Sequence, residues 1–229
     1  MRRHLSLLPV CLLLLLAGGA MQLNAALTRP ELPGDSLPDQ LAPGMFLVAS
    51  RDFHDPYFRG SVVYLLQHDR HATLGVIVNY PSMARLQEWL PELEGTLPGA
   101  LQVYNGGPLN PEVMTVLVDH WGWEEDYDAA DVLHVQDAVF ATFDPAIFAR
   151  LLGADAAALG RVRCYYGHIG WYAGQLEHEL AREYWHLLPG DIDEVLGAQA
   201  SLLWHRLIER LEPAEPVVQP VISALPPAR

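Results

Sequence analysis

Between residues 43 and 211 the chain alternates short apolar runs with polar, glycine- or proline-bearing punctuation. The runs are Met45–Ala49, Ser61–Gln67, Thr73–Asn79, Leu101–Tyr104, Glu112–Val118, Val132–Val135, Ala138–Phe143, Arg161–Tyr166 and Tyr184–Leu188. Each is short and rich in valine, leucine, isoleucine and aromatic residues, which is the pattern of β-strands. His68-Asp69-Arg70-His71-Ala72 separates two of them as a hairpin turn. The runs lie close together in sequence, which favours antiparallel pairing over helical crossovers.

Three stretches follow the helical period instead. Asp144 is placed to cap a helix with Pro145 in its first turn, and Ile147, Phe148, Leu151 and Leu152 form one face. Gln175–Glu183 is a second helix, entered from Gly174, with Leu176 and Leu180 as its core face. Ala198–Leu211 is a third, with Leu203, Trp204, Leu207, Ile208 and Leu211 as a stripe. The expected fold is a single α+β domain: an antiparallel sheet flanked by about three to four helices.

The flanks differ from this core. Arg2 and Arg3 precede the apolar run Leu5–Ala17, and small residues follow at Gly18, Gly19, Ala20, Ala25 and Ala26. This is the layout of a secretory signal peptide over residues 1–25, too short for a comfortable membrane span. The expectation is an exported, periplasmic protein, with an N-terminal inner-membrane anchor as the alternative and a cytoplasmic protein if the start is misassigned. Residues 26–42 carry three prolines and read as a linker; residues 212–229 carry five and read as an irregular tail. The globular domain is then 43–211, with no further membrane span expected.

Charge narrows the function classes. The 229 residues carry a formal charge of −14, and all 14 basic residues are arginines. No run interleaves basic and aromatic residues, so direct binding of nucleic acid is not expected. Of the two cysteines, Cys11 and Cys164, only Cys164 would survive signal cleavage, and it reads as a small buried apolar residue. The 10 histidines show no H-E-x-x-H pattern and the cysteines no paired spacing, so no metal and no cofactor is expected. The acidic stretch Glu124, Glu125, Asp126, Asp128 and Asp131, beside Trp121, Trp123 and Tyr127, lacks the spacing and glycine of a calcium loop and reads as a solvated loop. No nucleophile elbow, P-loop or dinucleotide fingerprint occurs.

Four ordered motifs stand out. They are Pro43–Ser50 followed by Arg51-Asp52-Phe53-His54-Asp55-Pro56-Tyr57-Phe58-Arg59-Gly60-Ser61; Leu74-Gly75-Val76-Ile77-Val78-Asn79-Tyr80-Pro81; Tyr104-Asn105-Gly106-Gly107-Pro108-Leu109; and Gly167-His168-Ile169-Gly170-Trp171-Tyr172-Ala173-Gly174-Gln175-Leu176-Glu177-His178-Glu179. In this order and spacing the chain resembles the YqgE/AlgH family of bacterial proteins over residues 43–210. The resemblance implies the same single α+β domain. Members are often labelled transcriptional regulators, and the family name carries no established chemistry. Tyr80, His168 and Ile169 depart from the residues common at those places.

The motifs supply the candidate site residues. Gly170, Trp171 and Gly174 lead into a helix whose free N–H groups could hold an anion, or simply make a tight turn. Gln175 and Glu179 are four apart and share a helix face, suited to ligand recognition or acid–base work, or to plain solvation. His54 between Asp52 and Asp55 could be a general base with an orienting carboxylate; Asp55-Pro56 is also a simple turn starter. Asn105, Gly106 and Gly107 make a turn that could line a cleft, and Asn79 could cap or recognise a ligand. With no convincing nucleophile, the expected function is a non-catalytic binding or regulatory module holding a small ligand or protein partner in a cleft near Gly170–Glu179 and the 51–55 and 105–108 loops. The alternatives are a hydrolase-like enzyme using His54, Asp55 or Glu179, and a cytoplasmic regulator of transcription acting through a protein partner.

Overall fold

A computed structural model describes residues 40–86, 102–120, 131–153 and 161–212. The expected signal segment, most of the proline-rich linker, nearly all of the acidic loop and all but the first residue of the tail lie outside the described residues. No described helix is long and apolar enough to cross a membrane.

The apolar runs form strands in the expected order. These are β1 (Met45–Ala49), β2 (Val62–His68), β3 (Ala72–Ile77), β4 (Val103–Asn105), β5 (Leu109–Asp119), β6 (Val132–Gln136), β7 (Val139–Thr142), β8 (Arg161–Tyr172) and β9 (Trp185–Pro189). The helices are α1 (Pro145–Gly153), α2 (Gln175–Ala181), α3 (Ile192–Leu196) and α4 (Leu203–Leu211). One sheet holds all these strands, in the order β6-β7-β5-β8-β3-β2-β1-β9, with β4 added beside β8. The sheet curls until β6 comes back against β2.

Strand alternation gives the sheet two apolar faces. Phe46, Val48, Val62, Tyr64, Val76, Leu117 and Tyr165 fill the concave face, where α3 and α4 plug the curl with Val195, Leu203, Leu207 and Ile208. The convex face carries two separate clusters. Val103, Met114, Val116 and Cys164 pack under Ile147, Phe148 and Leu151 of α1. Leu47, Val63, Leu65, Ile77, Ile169 and Trp171 pack under Leu176 and Leu180 of α2. Cys164 is fully buried, and burial pushes its thiol up to about 12, far from thiolate chemistry.

Four details differ from the sequence expectation. First, β4 pairs with β8 in parallel, Val103 opposite Cys164, although its neighbours pair antiparallel. Second, Gly167–Tyr172 continues β8 where a glycine-punctuated turn was expected. Third, Ile192–Leu196 forms a helix of its own, capped by Asp191, whose side chain accepts from the Asp193 N–H. Fourth, the last helix begins with a single 3-10 turn at Ala200–Leu202.

The length of β8 lets it serve both halves of the sheet. Its first half pairs with β5 on one edge and β4 on the other. Its second half leaves β4 and pairs with β3, Thr73 opposite Trp171. The parity of the strand inverts between the halves: Cys164 faces the α1 cluster, and after Gly167 the odd residues Ile169 and Trp171 take the convex face. Gly167 sits at the inversion with φ +68°, where its missing side chain admits the carbonyl of Gly107.

Candidate functional site

The structure gathers the candidate residues into two groups and leaves one set apart. The first group forms at the corner where β8 turns into α2. Gly174 is the N-cap in the left-handed region, with φ +79°, and no side chain caps the helix. Gln175 Oε1 accepts from the Tyr172 N–H at 3.2 Å, so Gln175 closes the turn. Its Nε2 donates to Glu179 Oε1 at 3.1 Å. Glu179 Oε2 accepts from two indole N–H groups, Trp171 at 2.9 Å and Trp185 at 2.8 Å. Helical spacing makes Gln175 and Glu179 neighbours, whereas Trp171 and Trp185 arrive from β8 and β9.

The 51–58 loop packs against the same corner through rings. Phe53 stacks on Tyr184 at 5.0 Å and meets Trp185 edge-on at 4.9 Å. Asp55 is a turn residue: its Oδ1 accepts from the N–H groups of Tyr57 and Phe58 at 2.8 and 3.2 Å. Asp52 and His54 are exposed, and no hydrogen bond to a described residue joins either of them to Asp55.

The second group is Asn79, Asn105, Gly106 and Gly107. Asn79 is buried and clamps the start of β2, accepting from the Val62 N–H and donating to the Gly60 carbonyl, both at 2.8 Å. Asn105 Oδ1 accepts from the Gly107 N–H at 3.1 Å and from the Tyr57 hydroxyl at 3.0 Å. Tyr57 thereby ties the first loop to the third, and burial raises its phenol above the ordinary value. Gly106 and Gly107 lie against the backbone of β8, at Gly167 and His168. Gly170 stands opposite Leu74 in the ladder, and the nearest atom to a side chain placed there would be Leu109 Cδ1, at 3.2 Å.

A recess of about 150 Å³ opens elsewhere, between β5 and α1, and none of the twelve candidates lines it. Its wall is a wide bulge. Leu109 pairs with His168 and Met114 with Tyr166, so residues 110–113 stand out from the ladder opposite Gly167 alone. Asn110 starts the bulge with φ +45°. Met114, Val116 and Phe148 make the apolar floor, Phe143 and Pro145 the side, and Glu112 and Asp144 bring carboxylates. Asp144 Oδ1 caps α1, accepting from the Ala146 N–H at 2.7 Å. The sequence presented Asp144 only as a cap and Glu112 only as the first residue of a strand. A bulge is set by register against a distant strand, so no local signal announced the recess.

His168 lies beside it. Its ring meets Phe143 edge-on at 5.9 Å, and its Nδ1 is buried without a hydrogen-bond partner among the described residues. Burial holds the imidazole below its ordinary value, and the Glu112 carboxylate opposes that shift. The unfolded chain therefore binds this proton at higher pH than the folded one. The stability contributed by the neutral ring is full above about pH 6.5 and is lost as pH falls below that value and through the folded-state value. Thermal unfolding followed from pH 7.5 to pH 5 should show a larger fall in midpoint for the wild type than for His168→Phe. Parallel curves for the two proteins would remove His168 as the source.

Comparison with known proteins agrees with this architecture. The AlgH-like family model matches residues 46–214. A protein of Magnetococcus marinus named only as a UPF0301 protein is 37% identical over 164 residues, covering 70% of this chain and 80% of the relative. The solution structure of the AlgH protein from Pseudomonas aeruginosa aligns with a TM-score of 0.58 at 28% identity, over 74% of this chain and 88% of that one. The crystal structure of protein DIP2367 from Corynebacterium diphtheriae aligns with a TM-score of 0.58 at 25% identity, over 81% of this chain and 93% of that one.

Proposed function

This chain belongs to the AlgH-like family, and on that premise we propose that it is a non-catalytic binding module for a small ligand or a partner's side chain. The observation that carries this reading is the recess between the β5 bulge and α1. It joins an apolar floor to a few polar groups at its edge, which is the make-up of a ligand pocket.

The disposition of the polar candidates supports the same reading. A general base must hold its lone pair ready for a substrate proton, with its partner in hydrogen-bond reach. Glu179 spends one oxygen on two indoles and the other on Gln175. Asp55 is engaged in its turn, and His54 stands exposed on the loop with no carboxylate bonded to it among the described residues. Glu179 holds the β8–α2 corner together and Asp55 its loop.

An activity screen over ester, amide, phosphoester and glycoside substrates tests the reading, using the wild type, His54→Ala and Glu179→Gln. The expected result is no turnover that depends on either residue. Turnover by the wild type that disappears in His54→Ala, with the fold and stability unchanged, would establish an enzyme instead.

A further inference from the structure

We infer that the recess between the β5 bulge and α1 binds a small organic cation: an ammonium group carried on a benzene-sized or short aliphatic body. This rests on the binding-module reading and adds the ligand's charge and size.

Size comes from the volume. The recess is open to solvent on one side, and its volume of about 150 Å³ matches a body the size of benzene. The floor offers Met114, Val116 and Phe148, three side chains already part of the buried cluster under α1, so apolar contact there is pre-formed. Charge comes from the lining. Among the described residues, Glu112 and Asp144 are its ionisable lining, both acidic, and no arginine lines it. An anion placed there would meet two carboxylates and a chain of formal charge −14. Phe143, which is only partly buried, lines the same recess, and an aromatic ring face attracts a cation.

One force acts the other way. The recess lies at the N-terminus of α1, where the helix dipole is positive and disfavours a cation. Asp144 already answers that charge: its Oδ1 takes the Ala146 N–H, and its backbone carbonyl takes the Phe148 N–H at 3.1 Å. Glu112, out on the bulge, is not engaged by the helix and is the carboxylate left for the ligand. The bulge is what places it there. In a regular ladder residues 110–113 would pair along β8 and close the gap.

The test is a titration of the full-length protein with benzylammonium, read at the Met114 methyl and the Phe143 and Phe148 rings by NMR. Benzyl alcohol serves as the neutral match of equal shape. Two variants remove one charge each and leave the fold intact: Glu112→Gln, at an exposed position, and Asp144→Asn, which retains a capping side chain of equal rank. Saturating shifts at these three residues are expected for the wild type. Benzyl alcohol and the Glu112→Gln variant should give binding about twofold to fivefold weaker, the range for partly exposed charge pairs, with a smaller loss in Asp144→Asn. Equal affinity for the alcohol, or wild-type titration curves in both variants, would overturn the charge assignment. Shifts that do not saturate, or that cluster away from the recess, would overturn the site. Either failure removes the cation proposal, whereas turnover dependent on His54 or Glu179 is the separate result that removes the binding-module reading.

Discussion

Gly167→Ala is expected to cost about 3–5 kcal/mol, a large share of the stability of an ordinary protein. Two costs add at this position. Alanine at φ +68° pays about 1–2 kcal/mol for the left-handed backbone. Its Cβ would also stand 2.2 Å from the Gly107 carbonyl oxygen. That oxygen belongs to backbone, so no side chain can swing away to relieve the clash. Moving the Gly107 segment would pull on Gly106, whose N–H bonds the Tyr166 carbonyl and whose carbonyl accepts from Ile77 N–H, both at 2.8 Å. It would also disturb the inversion that lets one strand serve two outer clusters. Gly174→Ala is the matched control. It has nearly the same backbone, φ +79°, with nothing within 4 Å of an added Cβ. It should cost only the conformational part, about 1–2 kcal/mol. Urea denaturation of the two variants with a common slope gives the comparison directly. Equal midpoints would mean that the Gly107–Gly167 contact is not rigid and that the inversion tolerates a side chain.

This position also marks where the sequence stops being legible. Strands with a strong local pattern, such as Val62–Leu66, could be read because alternate residues are buried on the two faces of one sheet. The Asp144–Pro145 start of α1 could be read because capping is a local bond, and the Asp144 side chain makes it. The four glycine-rich motifs could be found, yet their reason could not. Gly106, Gly107 and Gly167 are small because two backbones cross there, and the partner strands are some sixty residues apart in the chain. The parallel pairing of β4 with β8 is hidden for the same reason. At the candidate site, the Gln175–Glu179 pairing followed from helical spacing. Trp185, which completes it, comes from a strand with no motif of its own. The recess depends on a register shift, and register is a property of pairs of strands.

Glu179→Leu is the second substitution expected to have a large effect, about 2–4 kcal/mol. Trp171 and Trp185 are 4% and 3% exposed, so their indole N–H groups have little access to water if the carboxylate is removed. A buried donor left without a partner costs about 1–3 kcal/mol, and two are orphaned at once. The half-buried position of Glu179 and some return of water reduce the sum below the full penalty for both. Glu179→Gln should cost less, about 1–2 kcal/mol. Its amide oxygen can accept from both indoles but without the help of a charge, and its NH2 must then face the Gln175 amide. The environment of the indoles supplies an independent readout, because tryptophan emission from this corner should shift red in Glu179→Leu while Glu179→Gln stays near the wild type. If Glu179→Leu were as stable as the wild type, the carboxylate would be dispensable to the scaffold. Its oxygens would then be free for a ligand, and this corner would not be held by the carboxylate. The ordered loss, leucine worse than glutamine with the emission following, is what a carboxylate used as the common acceptor of two strands and a helix requires.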